Sequence, residues 1–346
     1  MHVAVFGAGA FGQNHVRVLR ELQDAGSPVA LAAIVDPDPA KAAALHAKYS
    51  VPVYASVEEC LAARSSGLQI DAACVCVPTS AHFDVASSVL EAGIDVLVEK
   101  PIAATLEQAD KLVALAAGRH RVLQVGHLER FNPAITAVEP LINCPMFFEV
   151  HRLSVFTPRA LDVDVVLDLM IHDLDIVLNF AKSQVVEVRA VGLPILSPKV
   201  DIANVRLEFE SGAVANFTAS RVSTERVRKL RFFQPRQYIS VDYARKDVLM
   251  INVDRTDGEP SPSGVVKPPP MFPIPELAAG LSFDKPIVVP GEPLRLEIES
   301  FLNAVRHRSR PRVSAEDGRA ALALALEIDH AITTHADRAA LSHFHI

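Results

Sequence analysis

The sequence predicts an α/β protein of two domains: a doubly wound parallel sheet over residues 1–125, then an α+β domain over residues 126–346 with a large open, mainly antiparallel sheet. In the first part, short apolar segments alternate with helical periods, as in parallel sheets buried on both faces. In the second part, longer segments alternate polar and apolar residues, which is typical of antiparallel strands with one covered face. The length of 346 residues fits two domains of roughly 150 residues each.

The hydrophobic pattern places the elements along the chain. Strands of the first domain are predicted at 2–6, 29–35, 71–77, 94–98 and 122–125, with helices at 11–25, 39–48, 80–91 and 106–117. Strands of the second domain are predicted at 146–155, 185–191, 204–210, 212–221, 229–234, 238–243 and 247–252, with helices at 165–180, 294–307 and 315–333. The Pro-rich segment 258–275 is incompatible with a sheet interior, and we expect it to be a surface excursion that contacts a neighbouring subunit.

A Gly-x-Gly-x-x-Gly turn follows the first predicted strand. Gly7 allows a tight turn, Gly9 lets a ligand approach the backbone, and Gly12 lets helix and strand pack closely. The helix N-terminus beyond Ala10 and Phe11 offers unpaired N–H groups to a diphosphate. Glycine-rich turns without a ligand are common, but the strand before and the helix after this one predict a Rossmann dinucleotide site.

The second strand ends at Asp36, an acidic residue in the position that contacts the adenosine ribose in such domains. Its carboxylate would accept hydrogen bonds from the ribose hydroxyls and repel a 2′-phosphate, and no arginine follows it. The sequence therefore predicts NAD rather than NADP as the cofactor. The alternative is a turn or capping aspartate before Pro37.

Ligands of doubly wound sheets bind beyond the carboxyl ends of the strands. The segments that end at this edge supply further candidates for cofactor binding, namely Pro78, Thr79, His82, Glu99 and Lys100.

Lys100 directly follows an apolar strand, in the segment Glu99-Lys100-Pro101. Its ammonium group could stabilise the alkoxide that develops as hydride leaves a substrate carbon. Because Pro101 restricts the preceding backbone to extended conformations, the lysine has a defined direction. The alternative is an ordinary exposed lysine at a strand end.

Asp168 and His172 are four residues apart in a strongly apolar helical segment, so they share one helix face. A histidine beside a carboxylate suits a general base acting on an alcohol. The alternative is a core histidine satisfied by hydrogen bonds. No metal site is predicted, because Asp-x-x-x-His lacks a third ligand nearby and the four cysteines have no metal-site spacing.

Composition excludes several classes of function. A net charge of −7 argues against a nucleic-acid surface, and no apolar run approaches the ~18 residues of a membrane span. Cys74 and Cys76 are predicted to be small apolar strand residues of a reducing compartment, so a cytoplasmic location is expected.

Four motifs together resemble the Gfo/Idh/MocA oxidoreductases: the glycine turn, Glu99-Lys-Pro101, Asp168-x-x-x-His172, and Glu292-Pro-Leu-x-x-Glu297. The resemblance implies that Lys100 and His172 face the nicotinamide and that Asp168 holds the substrate or the histidine. It also implies a cis bond before Pro101 and a homodimer or homotetramer formed through the C-terminal sheet.

A narrower resemblance lies in GHLERFNPA at 126–134 and in residues 159–175. Both segments resemble the branch of UDP-N-acetylglucosamine 3-dehydrogenases. This resemblance implies oxidation at C3 of that nucleotide sugar and a downstream sugar aminotransferase on the way to lipid A. The sequence itself shows only that Arg130, Asn132, Arg152 and Arg159 could contact hydroxyls or a diphosphate, and the alternative for each is a structural arginine or a helix cap. The candidate substrate-binding residues are Lys100, Arg130, Asn132, Arg159, Asp168 and His172.

Three alternatives remain open at this point. One is a dehydrogenase of a free sugar, an inositol or another nucleotide sugar. Another is a non-catalytic NAD-binding regulator of the same fold, and the third is a structural partner within a biosynthetic complex.

Overall fold

The computed structural model describes residues 1–157, 163–253, 265–266 (backbone only) and 281–341. The chain forms two compact units. The first comprises Met1–Leu128 and Glu292–Leu322, and the second comprises Glu129–Gly291 and Ala323–Ile346. The sequence prediction placed one boundary at 125/126 and did not include the return of residues 292–322 to the first unit.

The structure has the following elements. The strands are β1 (His2–Phe6), β2 (Ala30–Val35), β3 (Val53–Tyr54), β4 (Ala72–Val75), β5 (Asp95–Glu99), β6 (Leu123–Gly126), β7 (Phe147–Val155), β8 (Val185–Leu193), β9 (Ile202–Phe209), β10 (Val214–Ser223), β11 (Val227–Gln234), β12 (Gln237–Asp242), β13 (Asp247–Val253), β14 (Val265–Val266) and β15 (Leu281–Pro286). The α-helices are α1 (Gly12–Asp24), α2 (Pro39–Tyr49), α3 (Val57–Ala62), α4 (Thr79–Glu91), α5 (Leu106–Gly118), α6 (Pro133–Val138), α7 (Ile171–Ala181), α8 (Pro293–His307) and α9 (Ala315–Arg338).

The first unit contains a six-stranded parallel sheet in the order β3-β2-β1-β4-β5-β6. This order reverses direction beside β1, which is the Rossmann topology and creates a ligand site at the carboxyl ends of the central strands. The predicted doubly wound sheet is confirmed. The short elements β3 and α3 were not predicted, because two to six residues carry too little periodicity.

Local sequence fixes the helices of this unit. Asp38 caps α2 by accepting hydrogen bonds from the N–H groups of Ala40 and Lys41 at 2.9 and 3.2 Å, and Pro39 occupies the first helical position. Thr105 caps α5 in the same way through the N–H of Gln108. Each cap fixes the residue at which its helix begins.

The core of the first unit includes the returning C-terminal segment. Ile298 and Phe301 on α8 are fully buried in one cluster with Val5, Leu19 and Leu97. Burying side chains of this size contributes about 1.5–3 kcal/mol each. The N-terminal 128 residues therefore lack a complete core without α8.

The second unit contains a nine-stranded sheet in the order β14-β15-β13-β12-β11-β7-β10-β9-β8. Its strand pairs are antiparallel except for β7 and β10, which are parallel. Burial alternates along β9 and β10, and Phe148, Phe217 and Phe232 are fully buried on the covered face. Phe180 of α7 packs on Phe232 with ring centroids 5.8 Å apart. The predicted open, mainly antiparallel sheet is confirmed.

Two strands of this sheet were not predicted. β15 lies beyond the Pro-rich segment, and the two-residue β14 lies within it and pairs with β15 at the sheet edge. The remainder of segment 258–275 lies outside the described residues, so its predicted subunit contact stays a prediction. Within the described ranges, no helix has both the length and the apolar character needed to cross a membrane.

A pair of carboxyl groups connects the start of the helix that bears His172 to α9. Asp164 accepts hydrogen bonds from the N–H groups of Val166 and Leu167, both at 2.9 Å, and so caps the segment that leads into α7. Burial, followed by the charge and hydrogen bond of Asp164, raises the pKa of Asp329 to about 8. Asp329 is therefore largely protonated at neutral pH and bridges the two helices as a neutral acid.

This pair predicts a pH dependence of stability. Since the folded pKa of Asp329 exceeds the value of ~3.9 in an unfolded chain, the folded state binds more protons between these two values. The contribution of Asp329 to the free energy of unfolding is thus present below about pH 4 and is lost as the pH rises through about 8. Asp329→Asn should flatten this decline, as measured by urea unfolding at pH 5, 7 and 9. Parallel pH profiles of the two proteins would contradict this interpretation.

Candidate active site

The three glycines of the first turn have different surroundings. A Cβ on Gly7 would lie 2.7 Å from the carbonyl oxygen of Cys76, and one on Gly12 would lie 1.9 Å from the oxygen of Gly7. Gly7 also has a φ of +88°, which favours glycine. A Cβ on Gly9 would meet no described atom within 4 Å. Gly7 and Gly12 are thus required by packing, whereas Gly9 keeps one side of the turn open.

This turn begins α1. The N–H of Gln13 donates to the carbonyl oxygen of Gly9 at 3.0 Å, and Ala10 and Phe11 are exposed. The N–H groups of a first helical turn have no partner within the helix and carry the positive end of its dipole. The open side at Gly9 therefore adjoins the positive end of the α1 dipole, which favours a diphosphate.

Asp36 is buried at the end of β2, beside the glycine turn. Its Oδ2 accepts a hydrogen bond from the N–H of Ala8 at 2.9 Å, and its Oδ1 accepts one from the N–H of Asp38 at 3.0 Å. Each carboxylate oxygen retains a further lone pair that can accept from a ribose hydroxyl. Lys41 Nζ lies 3.7 Å from Oδ1 of Asp36. The anchored acid and the open glycine turn fit an NAD adenosine diphosphate.

At the same sheet edge, Pro78 is exposed and precedes Thr79, the first residue of α4. His82, one turn further on, is buried. Its Nδ1 lies 2.7 Å from the carbonyl oxygen of Pro101 and its Nε2 lies 2.9 Å from that of Val77. Burial lowers the pKa of His82. His82 thus connects the loops that follow β4 and β5, a structural role that the sequence did not indicate, and its contact with a cofactor stays a prediction.

Lys100 follows β5 and is half-buried. Its N–H donates to Glu99 Oε2 at 3.4 Å, and the Lys100–Pro101 peptide bond is cis, as the resemblance implied. Glu99 Oε1 lies 2.9 Å from Nε2 of the fully buried His15. Glu99 and Pro101, the residues on either side of Lys100, thus each contact a buried histidine.

Glu297, at the start of α8 in the same unit, is fully buried. Among the described residues, neither of its side-chain oxygens has a hydrogen-bond partner. Burial, followed by the charge of Glu99, raises the pKa of Glu297 well above its usual range. The sequence showed Glu297 only as part of a family motif and gave no sign of its proximity to Glu99.

In the second unit, Asp168 and His172 are half-buried on a helix that begins irregularly. Residues Val166–Met170 form a π-helical turn, and regular α7 follows from Ile171. Isolated π-helical turns within helices are frequent at functional sites. The sequence predicted one continuous α-helix over 165–180, because a single widened turn leaves the apolar pattern almost unchanged.

A buried ion-pair network surrounds the residue after His172. Arg152 on β7 binds both oxygens of Asp173, with N···O distances of 2.6 and 2.9 Å, and Glu129 at 3.0 Å. Burial opposes the charge of Arg152, but Asp173 and Glu129 outweigh this and raise its pKa. The bidentate pair fixes α7 on the sheet. The sequence did not identify this role of Arg152 in positioning α7.

The three polar residues predicted to bind substrate differ in their surroundings. Arg130 is buried, with Nη1 3.4 Å from Asp175. Asn132 is buried and caps α6, and its side-chain amide also donates to Glu129 and to the carbonyl oxygen of Tyr243 at 3.0 and 3.1 Å. Arg159 lies outside the described residues. These contacts give Asn132 a structural role, and the substrate contacts of all three residues stay predictions.

A parallel sheet in this order, with a glycine turn and an anchored ribose-type acid, defines a dinucleotide-binding protein of the Rossmann class. Residues 1–127 match the profile of the oxidoreductase family with an NAD-binding Rossmann fold, and residues 145–238 match the GFO/IDH/MocA C-terminal domain. The chain belongs to the Gfo/Idh/MocA family and is an NAD-dependent oxidoreductase.

Individual relatives agree with this membership. The UDP-N-acetylglucosamine 3-dehydrogenase of Acidithiobacillus ferrooxidans is 33% identical over 339 residues, which cover 98% of this chain and 99% of that protein. A solved structure of that enzyme superposes with a TM-score of 0.82 over 96% of this chain and 97% of the other. The inositol 2-dehydrogenase of Rhizobium meliloti is 25% identical over 98% of each chain.

The glycine turn predicts opposite outcomes for two matched substitutions. Gly9→Ala should leave the free energy of unfolding within about 1 kcal/mol of wild type and weaken NAD binding, because its methyl group enters only the open side. Gly12→Ala should lower the free energy of unfolding by about 1–3 kcal/mol or more, since its methyl group overlaps the turn itself. Urea unfolding without cofactor and calorimetric NAD titration measure the two effects. Equal destabilisation by both substitutions would contradict the division of roles.

Asp36 and Lys41 predict the cofactor preference. Asp36→Ser should weaken NAD binding and strengthen NADP binding, because it removes the repelling carboxylate and leaves Lys41 able to pair with a 2′-phosphate. Adding Lys41→Ala to that variant should reverse the gain in NADP affinity. Calorimetric titration of both dinucleotides against the three proteins tests this, and tighter NADP binding by wild type would exclude Asp36 from ribose recognition.

Proposed function

We propose that this protein oxidises the C3 hydroxyl of UDP-N-acetylglucosamine to the 3-keto sugar, with NAD as the hydride acceptor. The observation that carries the proposal is the 33% identity to a UDP-N-acetylglucosamine 3-dehydrogenase along nearly the full length of both chains. Lys100, Asp168 and His172 supply the residue types that this reaction needs. NAD, when bound, supplies the acceptor for the hydride.

In this proposal Lys100 stabilises the negative charge that develops on the substrate oxygen. A positioned ammonium group lowers the free energy of an alkoxide-like transition state most where water is excluded. The support for this role is the restraint of Lys100 by its neighbours. The carboxylate of Glu99 is held by His15, and the carbonyl oxygen of Pro101 is held by His82.

His172 takes the hydroxyl proton as the general base, and Asp168 orients the imidazole or a substrate hydroxyl. The pair lies where the helix changes from π to α geometry. Because Arg152 binds Asp173 at 2.6 Å, the residue beside His172 has little freedom to rotate. A fixed imidazole loses less entropy on reaching the reactive geometry.

A second candidate is a dehydrogenase of an inositol or a free sugar. Its support is the full-length likeness to an inositol 2-dehydrogenase, at 25% identity. The same three residues would serve that chemistry unchanged, since only a ring hydroxyl is required. The two candidates differ in whether the UDP group contributes to binding.

We further propose a cytoplasmic homodimer or homotetramer formed through the nine-stranded sheet, with a sugar aminotransferase consuming the product in lipid A synthesis. Support for the assembly is a partly exposed aromatic cluster on the sheet. Phe233 lies against Phe147 and Tyr238, with ring centroids 5.4 and 5.0 Å apart. Apolar side chains exposed in this way are common at subunit interfaces.

Purified protein supplied with NAD and UDP-N-acetylglucosamine should produce NADH and a 3-keto sugar, identified by NMR. Lys100→Met and His172→Ala should each lower kcat by about 10²–10⁴-fold, because a charge stabiliser or a general base is removed. Lys111→Met and His307→Ala are matched controls, since both residues are exposed and the hydrogen bond of each lies within its own helix.

The outcomes separate the candidates. Turnover of myo-inositol or free N-acetylglucosamine with an equal or higher kcat/KM would reject the nucleotide sugar and favour the second candidate. Wild-type rates in both Lys100→Met and His172→Ala would reject the mechanism. Binding of NAD without turnover of any of these substrates would reject the proposed reaction.

A further inference from the structure

Three side chains of metal-ligand type meet at the carboxyl edge of the parallel sheet. The imidazole of His15, the thiol of Cys76 and the carboxylate of Glu99 each offer one ligand atom, and these atoms lie within 4.8 Å of one another. His15 belongs to α1, Cys76 follows β4, and Glu99 ends β5. All three lie in the first unit, and the topology that forms the dinucleotide site also brings them together.

The spacing is close to that of a transition-metal site. A tetrahedral zinc ion with bonds of about 2.0–2.3 Å holds its ligand atoms roughly 3.3–3.8 Å apart. His15 Nε2 and Glu99 Oε1 are 2.9 Å apart, and since no separation in the cluster exceeds 4.8 Å, the ligand atoms need to approach one another by at most about 1 Å. Cys76 and Glu99 retain partial exposure, so small side-chain rotations suffice.

A second observation also indicates a missing ligand. Glu297 is fully buried with no hydrogen-bond partner for either oxygen among the described residues, and Nδ1 of His15 is likewise without a partner there. Buried polar groups are normally paired, because leaving one unsatisfied costs about 1–3 kcal/mol. Burial, followed by the charge of Glu99, raises the pKa of Glu297, which places Glu297 near the Glu99 end of the cluster. A divalent cation held there would favour the ionised form of Glu297.

We propose that His15, Cys76 and Glu99 form a binding site for Zn²⁺, and that metal and dinucleotide exclude one another. The set of nitrogen, sulfur and oxygen donors suits a borderline-soft cation such as Zn²⁺ and disfavours Mg²⁺. On binding, the Cys76 thiol gives its proton to solvent and coordinates as the thiolate.

The exclusion follows from the position of the cluster. A Cβ on Gly12 would lie 3.2 Å from the Cβ of Cys76, so the thiol directly underlies the glycine turn. Glu99 ends β5 and directly precedes Lys100, in the segment that is predicted to contact the cofactor. A cation that draws these two side chains together would alter the surface on which NAD binds. The site would make this oxidoreductase sensitive to zinc, and the inference does not depend on the identity of the sugar substrate.

Cobalt provides a spectroscopic test, because Co²⁺ bound to a thiolate absorbs in the near ultraviolet. Titration of the cofactor-free, full-length protein with Co²⁺ should give one thiolate band per chain, and Zn²⁺ should displace it. Cys76→Ser should abolish the band, whereas Cys144→Ser, which removes an exposed cysteine elsewhere, should retain it. Persistence of the band in a folded Cys76→Ser protein, or no band in wild type, would overturn the proposal.

Two measurements on the wild-type protein avoid any dependence on variant folding. Zn²⁺ should protect Cys76 but not Cys144 from alkylation by iodoacetamide, as read by peptide mass spectrometry. At a Zn²⁺ concentration about ten times its own Kd, the apparent Kd of NAD should rise about tenfold. Equal alkylation of Cys76 with and without Zn²⁺ would overturn the site, and an unchanged Kd of NAD would overturn the exclusion.

Discussion

The close approach of α1 to the end of β1 is the constraint on which the first unit depends. Because Gly12 packs against the backbone of Gly7, no side chain can separate the helix from the strand. The same approach presents the first helical turn to the open side of Gly9 and brings Asp36 within hydrogen-bonding distance of Ala8. It also places His15, one turn into α1, beside Glu99. One steric condition thus determines the predicted phosphate site, the predicted ribose acceptor and the support of the Lys100 loop.

Buried carboxylates are compensated differently in the two units. In the second unit, Arg152 compensates both Asp173 and Glu129, so removing the arginine would leave two carboxylates in the interior. Breaking such a pair costs about 3–5 kcal/mol, whereas its net contribution to stability is small. The network is therefore better explained by the fixed orientation of α7, and hence of His172, than by a gain in stability.

Much of the fold could be predicted from local sequence. The alternation along β9 and β10, the apolar runs of β1 and β4, and the caps of α2 and α5 depend on neighbouring residues, and periodicity reports such patterns. The positions of Gly7, Gly9 and Gly12 could be predicted for the same reason. The return of residues 292–322 could not, because α8 has an ordinary amphipathic pattern that does not specify which sheet it covers.

The candidate site was predictable only in part. Lys100 and His172 could be proposed as candidates because one directly follows an apolar strand and the other lies within an apolar helix, where packing does not require a polar side chain. The hydrogen-bonding roles of His15 and His82 were missed, since their partners, Glu99 and Pro101, are distant in the chain and no spacing rule connects them. Cys76 was assigned to the strand core because a small thiol after an apolar run resembles any other buried residue.

Glu99 and Glu297 in the first unit differ from the acidic residues around Arg152 in how their charge is compensated. Glu99 and Glu297 are close enough for one charge to raise the pKa of the other, and the partner that the structure gives Glu99 is a histidine, which is cationic only when protonated. Asp173 and Glu129 have a fixed arginine partner, whereas among the described residues neither Glu99 nor Glu297 pairs with an arginine or a lysine. Such an arrangement is costly unless the compensating charge is exchangeable. The oxidised nicotinamide ring carries a positive charge that the reduced ring lacks, and Zn²⁺ carries two. Burial keeps Glu297 in its neutral form, so the Glu99 carboxylate is the group that an exchangeable cation such as Zn²⁺ would compensate at this edge.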